Sequence, residues 1–142
     1  MGTEDRILPA QSILEQMADA VICSDRAGSI VLWNAAAAAL FGYSPAEAVG
    51  QSLNLIIPEH LQNAHWRAFE AAMSTGLMRL QGRPTLTRAK HQGGRKLYVE
   101  MTFALVKSAG GVAEGAVAVA RDVTERIEQQ RAQTQRERGG GS

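Results

Sequence analysis

The sequence predicts an α+β domain built on one five-stranded antiparallel sheet, with helices over one face. Three observations predict it. A strand hairpin lies near the N-terminus, a group of short helical segments and one long helix follow it, and three strands joined by tight turns come late. A hairpin first and a meander last close most simply as a single sheet, whose apolar face the intervening helices cover.

Each element has a local reason. Ala10–Asp19 places Ile13, Leu14 and Met17 on one helical face. Ala20–Ser24 is a strand, Asp25-Arg26-Ala27-Gly28 a turn and Ser29–Trp33 the returning strand. Asn34 ends the apolar run Ile30–Trp33 and caps the alanine-rich segment after it. Ser44-Pro45-Ala46-Glu47 is a capping box with Pro at the first helical position, and Gly42 and Gly50 supply stops. Pro58–Ser74 is the best helix, ended by Gly76. The short pieces between Ile30 and Pro58 cannot form a bundle; they suggest the wall of a small cavity beside a sheet. Arg83–His91, Arg95–Lys107 and Val112–Asp122 are strands, turned at Gly93-Gly94 and Ser108–Gly111. Asp122-Val123-Thr124-Glu125 forms a second capping box that opens a polar helix, Thr124–Arg138.

Composition bounds the rest. The 142 residues suit one domain with extensions: 1–12 as an N-terminal extension, 13–123 as the domain, 124–138 as a helix and 139–142 as a tag or flexible tether. A net charge of +1 implies neither nucleic acid nor an anionic membrane. No apolar run reaches the roughly 18 residues a membrane span needs. The lone Cys23 suits a reducing compartment and, with no charged-then-apolar leader, points to the cytoplasm. No Cys/His cluster has zinc spacing, no glycine-rich phosphate loop appears, and no catalytic constellation marks an enzyme.

His65 shares a helical stripe with Leu61, Phe69, Ala72 and Met73. An imidazole on an apolar face is either a core histidine or a ligand to a metal. His60 and His91 fall off that stripe and are expected to be exposed. Alternation puts Leu97, Val99, Met101, Phe103 and Leu105 on one face of the long strand.

Several segments, in their order, resemble a PAS domain, the sensor module of bacterial signalling proteins. They are Asp19-Ala20-Val21, Asp25-Arg26-Ala27-Gly28, Trp33-Asn34-Ala35-Ala36, Leu40-Phe41-Gly42-Tyr43, Glu47-Ala48-Val49-Gly50, Ile57-Pro58-Glu59, Gly82-Arg83 and Arg121-Asp122-Val123-Thr124-Glu125-Arg126. The resemblance covers Ile13 to Arg126 and implies strand order 2-1-5-4-3, a ligand between sheet and helices, and a signal leaving through the last helix. Gly93-Gly94 stands where the family usually has Asp-Gly, and both permit positive φ.

The oxygen-sensing haem subclass is the most similar. Its proximal histidine stands seven residues after the equivalent proline, and His65 has that spacing from Pro58. The resemblance implies haem b with His65 as axial ligand to the iron, and a diatomic gas (O2, CO or NO) as the sensed molecule. It places Arg83 on the distal side, although counting back from the Gly93-Gly94 turn puts Thr85 there instead. Leu61, Phe69, Met78, Leu80, Met101 and Phe103 would line the pocket. Trp33 and Trp66 are able to pack a flavin such as FAD, but the Asn-Cys-Arg-Phe-Leu segment of the flavin photosensors is absent. The alternative is a PAS domain that binds no cofactor, or a small metabolite, and acts as a dimerisation and relay module. A homodimer is expected through Ile13, Leu14 and Met17 and the short seam of Val123 and Ile127.

Overall fold

The computed structural model describes residues 7–78 and 82–139. Helix α1 (Ala10–Gln16) leads into strands β1 (Ala20–Asp25) and β2 (Ile30–Trp33). Short helices α2 (Ala35–Phe41) and α3 (Pro45–Ala48) and a 3₁₀ turn at Leu53–Leu55 precede the long helix α4 (Glu59–Thr75). Strands β3 (Thr85–Lys90), β4 (Lys96–Lys107) and β5 (Ala113–Asp122) follow, and α5 (Thr124–Gly139) ends the described chain. The five strands form one sheet in the order β2-β1-β5-β4-β3, with every neighbouring pair antiparallel. That is the predicted architecture.

The register explains the core. Met101, Phe103 and Leu105 of β4 stand opposite Ala120, Ala118 and Ala116 of β5. Pairing large residues with alanines leaves room on that sheet face for the helices that cover it. Across β1, Ile22 faces Ala118 on one side and Trp33 on the other. Trp33 packs on Phe41 at 5.5 Å between ring centroids and meets Tyr43 edge-on at 6.4 Å. Its indole N–H donates to the Tyr43 carbonyl at 2.9 Å.

Asn34 does more than cap. Its Oδ1 accepts from the Ala37 and Val21 amides, both at 2.9 Å, and its Nδ2 donates to the Leu14 carbonyl at 2.8 Å and the Asp19 carbonyl at 3.1 Å. One buried amide thus joins α1, β1 and α2, with all of its donors satisfied. The Ser44 capping box forms as predicted: Ser44 Oγ accepts from the Glu47 amide, and Glu47 Oε1 accepts from the Ser44 amide. The Ser44 backbone N–H, above all, holds the Glu47 carboxyl below its ordinary range.

Several boundaries differ from expectation for local reasons. Helix α1 stops at Gln16 because Met17 turns extended and Asp19 is claimed by Asn34 and Arg121. Pro58 is the N-cap of α4 rather than its first residue. Strand β3 starts at Thr85, past Pro84, which has no N–H for the ladder. The Asp122–Glu125 capping box does not form. Instead Asp122 Oδ1 accepts from the amide of Thr124 at 2.9 Å and from its hydroxyl at 2.6 Å. Glu125 accepts from Gln129 at 3.4 Å. Thr124 Oγ1 accepts from the Tyr98 amide at 2.9 Å, tying the start of α5 to the middle of β4.

Helices α2 to α4 lie on the sheet face that carries Met101 and Phe103, whereas α5 lies against the opposite face. There Ile127 is buried and the Arg131 guanidinium covers the Tyr98 ring at 4.9 Å, with Arg88 5.9 Å from the same ring. Among the described residues no helix is long and apolar enough to cross a membrane.

Candidate functional site

Helix α4 ends on a left-handed glycine cap, Gly76 at φ 71°, and has an acidic first turn at Glu59 that suits its N-terminus. Its apolar stripe turns toward the sheet: Phe69, Ala72 and Met73 are buried, and Leu61, His65 and Trp66 are half-buried. Phe69 and Met73 pack with Ala113, Ala116, Leu105 and Leu53.

His65 lies at the open end of that stripe between two aromatic rings. Phe69, one turn along, stacks on it with centroids 5.9 Å apart and planes 28° from parallel. Trp66 meets it edge-on at 4.7 Å and 80°. Its Nδ1 is fully buried and has no hydrogen-bond partner among the described residues. Burial pushes its pKa below the ordinary 6.5, so the ring is neutral at pH 7. A buried imidazole nitrogen without a partner is costly, and natural folds rarely leave one. A neutral, unpartnered imidazole is the form that ligates a metal. His65 is therefore a neutral donor of the type that ligates haem iron, but the closed-off Nδ1 leaves no room for a metal at that nitrogen. Beside it, Phe69 and Met73 occupy the space between α4 and the sheet.

Trp66 is anchored twice. Its indole N–H donates to Asn54 Oδ1 at 2.7 Å. Its six-membered ring lies on Gly28, where a Cβ would overlap it. Gly28 also takes φ 85°, so glycine is required there for two reasons.

The sequence profile described as PAS fold matches residues 10–123, which include every strand and α4. The chain belongs to the PAS family. It is 31% identical over 134 residues to an uncharacterized protein of Azorhizobium caulinodans, covering 92% of this chain and 18% of that protein. It is 30% identical over 100 residues to the sensor protein FixL of Bradyrhizobium diazoefficiens, covering 70% of this chain and 20% of that one. The chain thus spans about a fifth of the length of these two relatives. A PAS domain structure from Colwellia psychrerythraea superposes with TM-score 0.70 at 22% identity, covering 80% of this chain and 93% of that one. An RNA-binding light-oxygen-voltage receptor superposes at TM-score 0.68 and 21% identity, covering 92% of this chain and 38% of that chain. At such identities the solved structures speak to the PAS fold alone.

Within the PAS fold the sequence-singled residues fall into two groups. His65 stacks on Phe69, which belongs to the cluster beneath α4, and Leu61 stands one turn before His65 on the same helix. Met101 and Phe103 point to the same side of the sheet but pack in the neighbouring cluster, with Ile22, Trp33 and Phe41; Leu53 touches both. Arg83 is exposed and precedes β3, where the Gly82 amide donates to the Phe103 carbonyl at 3.3 Å. Thr85 stands opposite Met101 in the ladder, so its side chain shares the helix-facing side. Met78 is half-buried just past α4, and Leu80 lies outside the described residues. Trp33 is core, buried on Phe41, and not beside His65. Of the other histidines, His60 is exposed as expected. His91 is half-buried instead, because its ring closes over Gly42 and its Nδ1 accepts from the Gly93 amide at 2.9 Å.

The anchoring of Trp66 by Gly28 and Asn54 escapes sequence reasoning. The only signal for it was Gly28 itself, which turn chemistry already explains.

Proposed function

We propose that this PAS domain binds haem b through His65 and serves as the sensing module of a signalling protein responsive to a diatomic gas, O2, CO or NO. The observation that carries the reading is the buried, partnerless Nδ1 of a neutral His65, at the helix position where the resemblance to haem sensors places the axial ligand. Similarity to a protein named as a sensor supports the signalling role.

Haem iron would supply the gas-binding centre, with His65 as its protein ligand. Phe69 would orient the imidazole by stacking, Leu61 stands one turn before His65 on α4, and Met78 lies half-buried just past the helix. Room for so large a group requires Phe69 or Met73 to leave the sheet, and the alanines of β5 opposite offer the least resistance to that repacking. On the distal side Thr85 shares the face of Met101, and Arg83, exposed at the strand entrance, is free to swing toward bound gas or a propionate. A repacking of β4 and β5 leaves the domain through Thr124 and α5. The half-exposed Ile13 of α1 and Met17 just past it suit a homodimer contact.

The deciding measurement is the visible spectrum of the purified protein with and without added hemin. A Soret band that is lost in His65→Ala is expected. A colourless protein that fails to take up hemin overturns the reading. For the distal side, Arg83→Ala is expected to speed oxygen dissociation, and an unchanged rate removes its distal role.

A second reading has one observation in its favour. Phe69 and Met73 already fill the space under α4, as they would in a PAS domain that binds no cofactor and works as a dimerisation and relay module.

A further inference from the structure

We propose that the wedge between strand β3 and helix α5 is a docking site for an acidic polypeptide segment. It lies on the sheet face opposite α4 and does not depend on what His65 holds.

Cations gather there without carboxylates. On the outward face of the β3–β4 hairpin, Lys90 stands directly opposite Lys96, and Arg88 opposite Tyr98. Like charges facing each other across a ladder destabilise it. Arg131 of α5 brings a further guanidinium to the same Tyr98 ring. Among the described residues the ion pairs are Arg121 with Asp19 and Arg126 with Glu100, so these four cations have no carboxylate partner. The Nε of Arg88 is buried and lacks even a hydrogen-bond partner among the described residues. Beside this cluster the wedge opens as a groove of about 380 Å³. Leu86, more than half exposed, and Ile127 give it apolar walls, Arg131 and Arg138 give it charge, and Gln130 and Gln135 give it amide donors. No carboxylate lines it.

The spacing selects the occupant. Arg131 and Arg138 stand seven positions apart on one face of α5, which sets them about 10.5 Å apart along the axis. A single phosphate or carboxylate covers a fraction of that distance, whereas about three residues of extended chain cover it all. Guanidinium forks take carboxylates through paired hydrogen bonds, and an apolar side chain between the carboxylates would rest on Leu86 and Ile127. Nucleic acid suits the groove less. Its bases need an open aromatic face, and the Tyr98 ring is already covered by Arg88 and Arg131. A segment lying in the wedge touches both β3 and α5, and so fixes α5 against the sheet.

The test is fluorescence anisotropy with a labelled peptide of glutamates and interspersed leucines, set against its glutamine counterpart and a single-stranded DNA. The glutamate peptide is expected to bind, and the glutamine peptide to bind more weakly by roughly tenfold or more. Arg138→Gln, at the exposed end of α5 where folding is not at stake, is expected to weaken binding by roughly fivefold to tenfold. Arg136→Gln removes the same charge from the same helix outside the groove and is expected to change binding by less than about twofold. Leu86→Glu, which sets a carboxylate on the β3 wall, is expected to abolish binding. A parent protein that ignores the glutamate peptide overturns the proposal. So does DNA that binds more tightly than the peptide, or a loss in Arg136→Gln as large as that in Arg138→Gln. Unchanged binding in Leu86→Glu overturns the wedge as the place.

Discussion

Asn34 and His65 are both polar groups set into apolar surroundings, and the fold treats them in opposite ways. The Asn34 amide has a partner for its acceptor and for both donor hydrogens, drawn from three elements. The Nδ1 of His65 has none among the described residues, although it is equally closed off. A satisfied buried group specifies a structure, whereas an unsatisfied one weakens it. The Asn34 region is therefore scaffold. The His65 region carries a liability that folding alone does not explain.

Substitutions put that contrast at risk, from the largest effect to the smallest. Asn34→Ala removes a partner from four backbone groups at once, of which the Leu14 carbonyl keeps the Met17 amide, and is expected to cost about 3 kcal/mol of stability, read by urea unfolding. A loss below about 1 kcal/mol would mean that water replaces the amide and that the scaffold role is overstated. Gly28→Ala forces a side chain into left-handed backbone against the indole and is expected to cost about 2 kcal/mol. His65→Phe runs the other way. It removes the orphaned nitrogen and keeps the stack on Phe69, so the cofactor-free protein is expected to gain about 1 kcal/mol while losing any hemin binding. A clear loss of stability instead would make His65 scaffold too and end the contrast.

The smallest effect is one of pH. The folded pKa of His65 lies below 6.5, so as pH falls through 6.5 the unfolded chain takes up its proton before the folded one does. Stability is therefore expected to fall with acidification until pH passes the folded value. The slope should be shallower in His65→Phe, compared by thermal melts from pH 7.5 downward to pH 5. Equal slopes would show that burial does not perturb His65.

Much of this was legible in the sequence. The strand hairpin, the Ser44 box, the Gly76 stop and the alternation of Met101 and Phe103 are local patterns, and each element forms close to its expected place. The strand order came with the PAS resemblance and matches the sheet. What could not be read is which local face meets which. The helical stripe shows that His65 faces inward, yet only the packed chain shows that its ring finds no partner. Asn34 was legible as a cap, but its bonds to Val21, Leu14 and Asp19 depend on the closing of β1 against α1 and α2. Met101 and Phe103 share a face with the α4 cluster but fill the neighbouring one, because α2 and the Trp33 ring reach them first. His91 was expected at the surface, and only the return of β3 beside α2 brings it over Gly42.

The bond from Tyr98 to Thr124 has a consequence for direction. It starts α5 at a fixed angle to the sheet, so the helix leaves the domain with a set phase as well as a set position. Over its 16 residues α5 runs about 24 Å, and each residue added or removed along it would turn its far end by about 100°. Whatever is joined beyond it is therefore aimed by arithmetic. Length changes of about seven residues, close to two full turns, restore the original facing, and a change of two residues points it to nearly the opposite side.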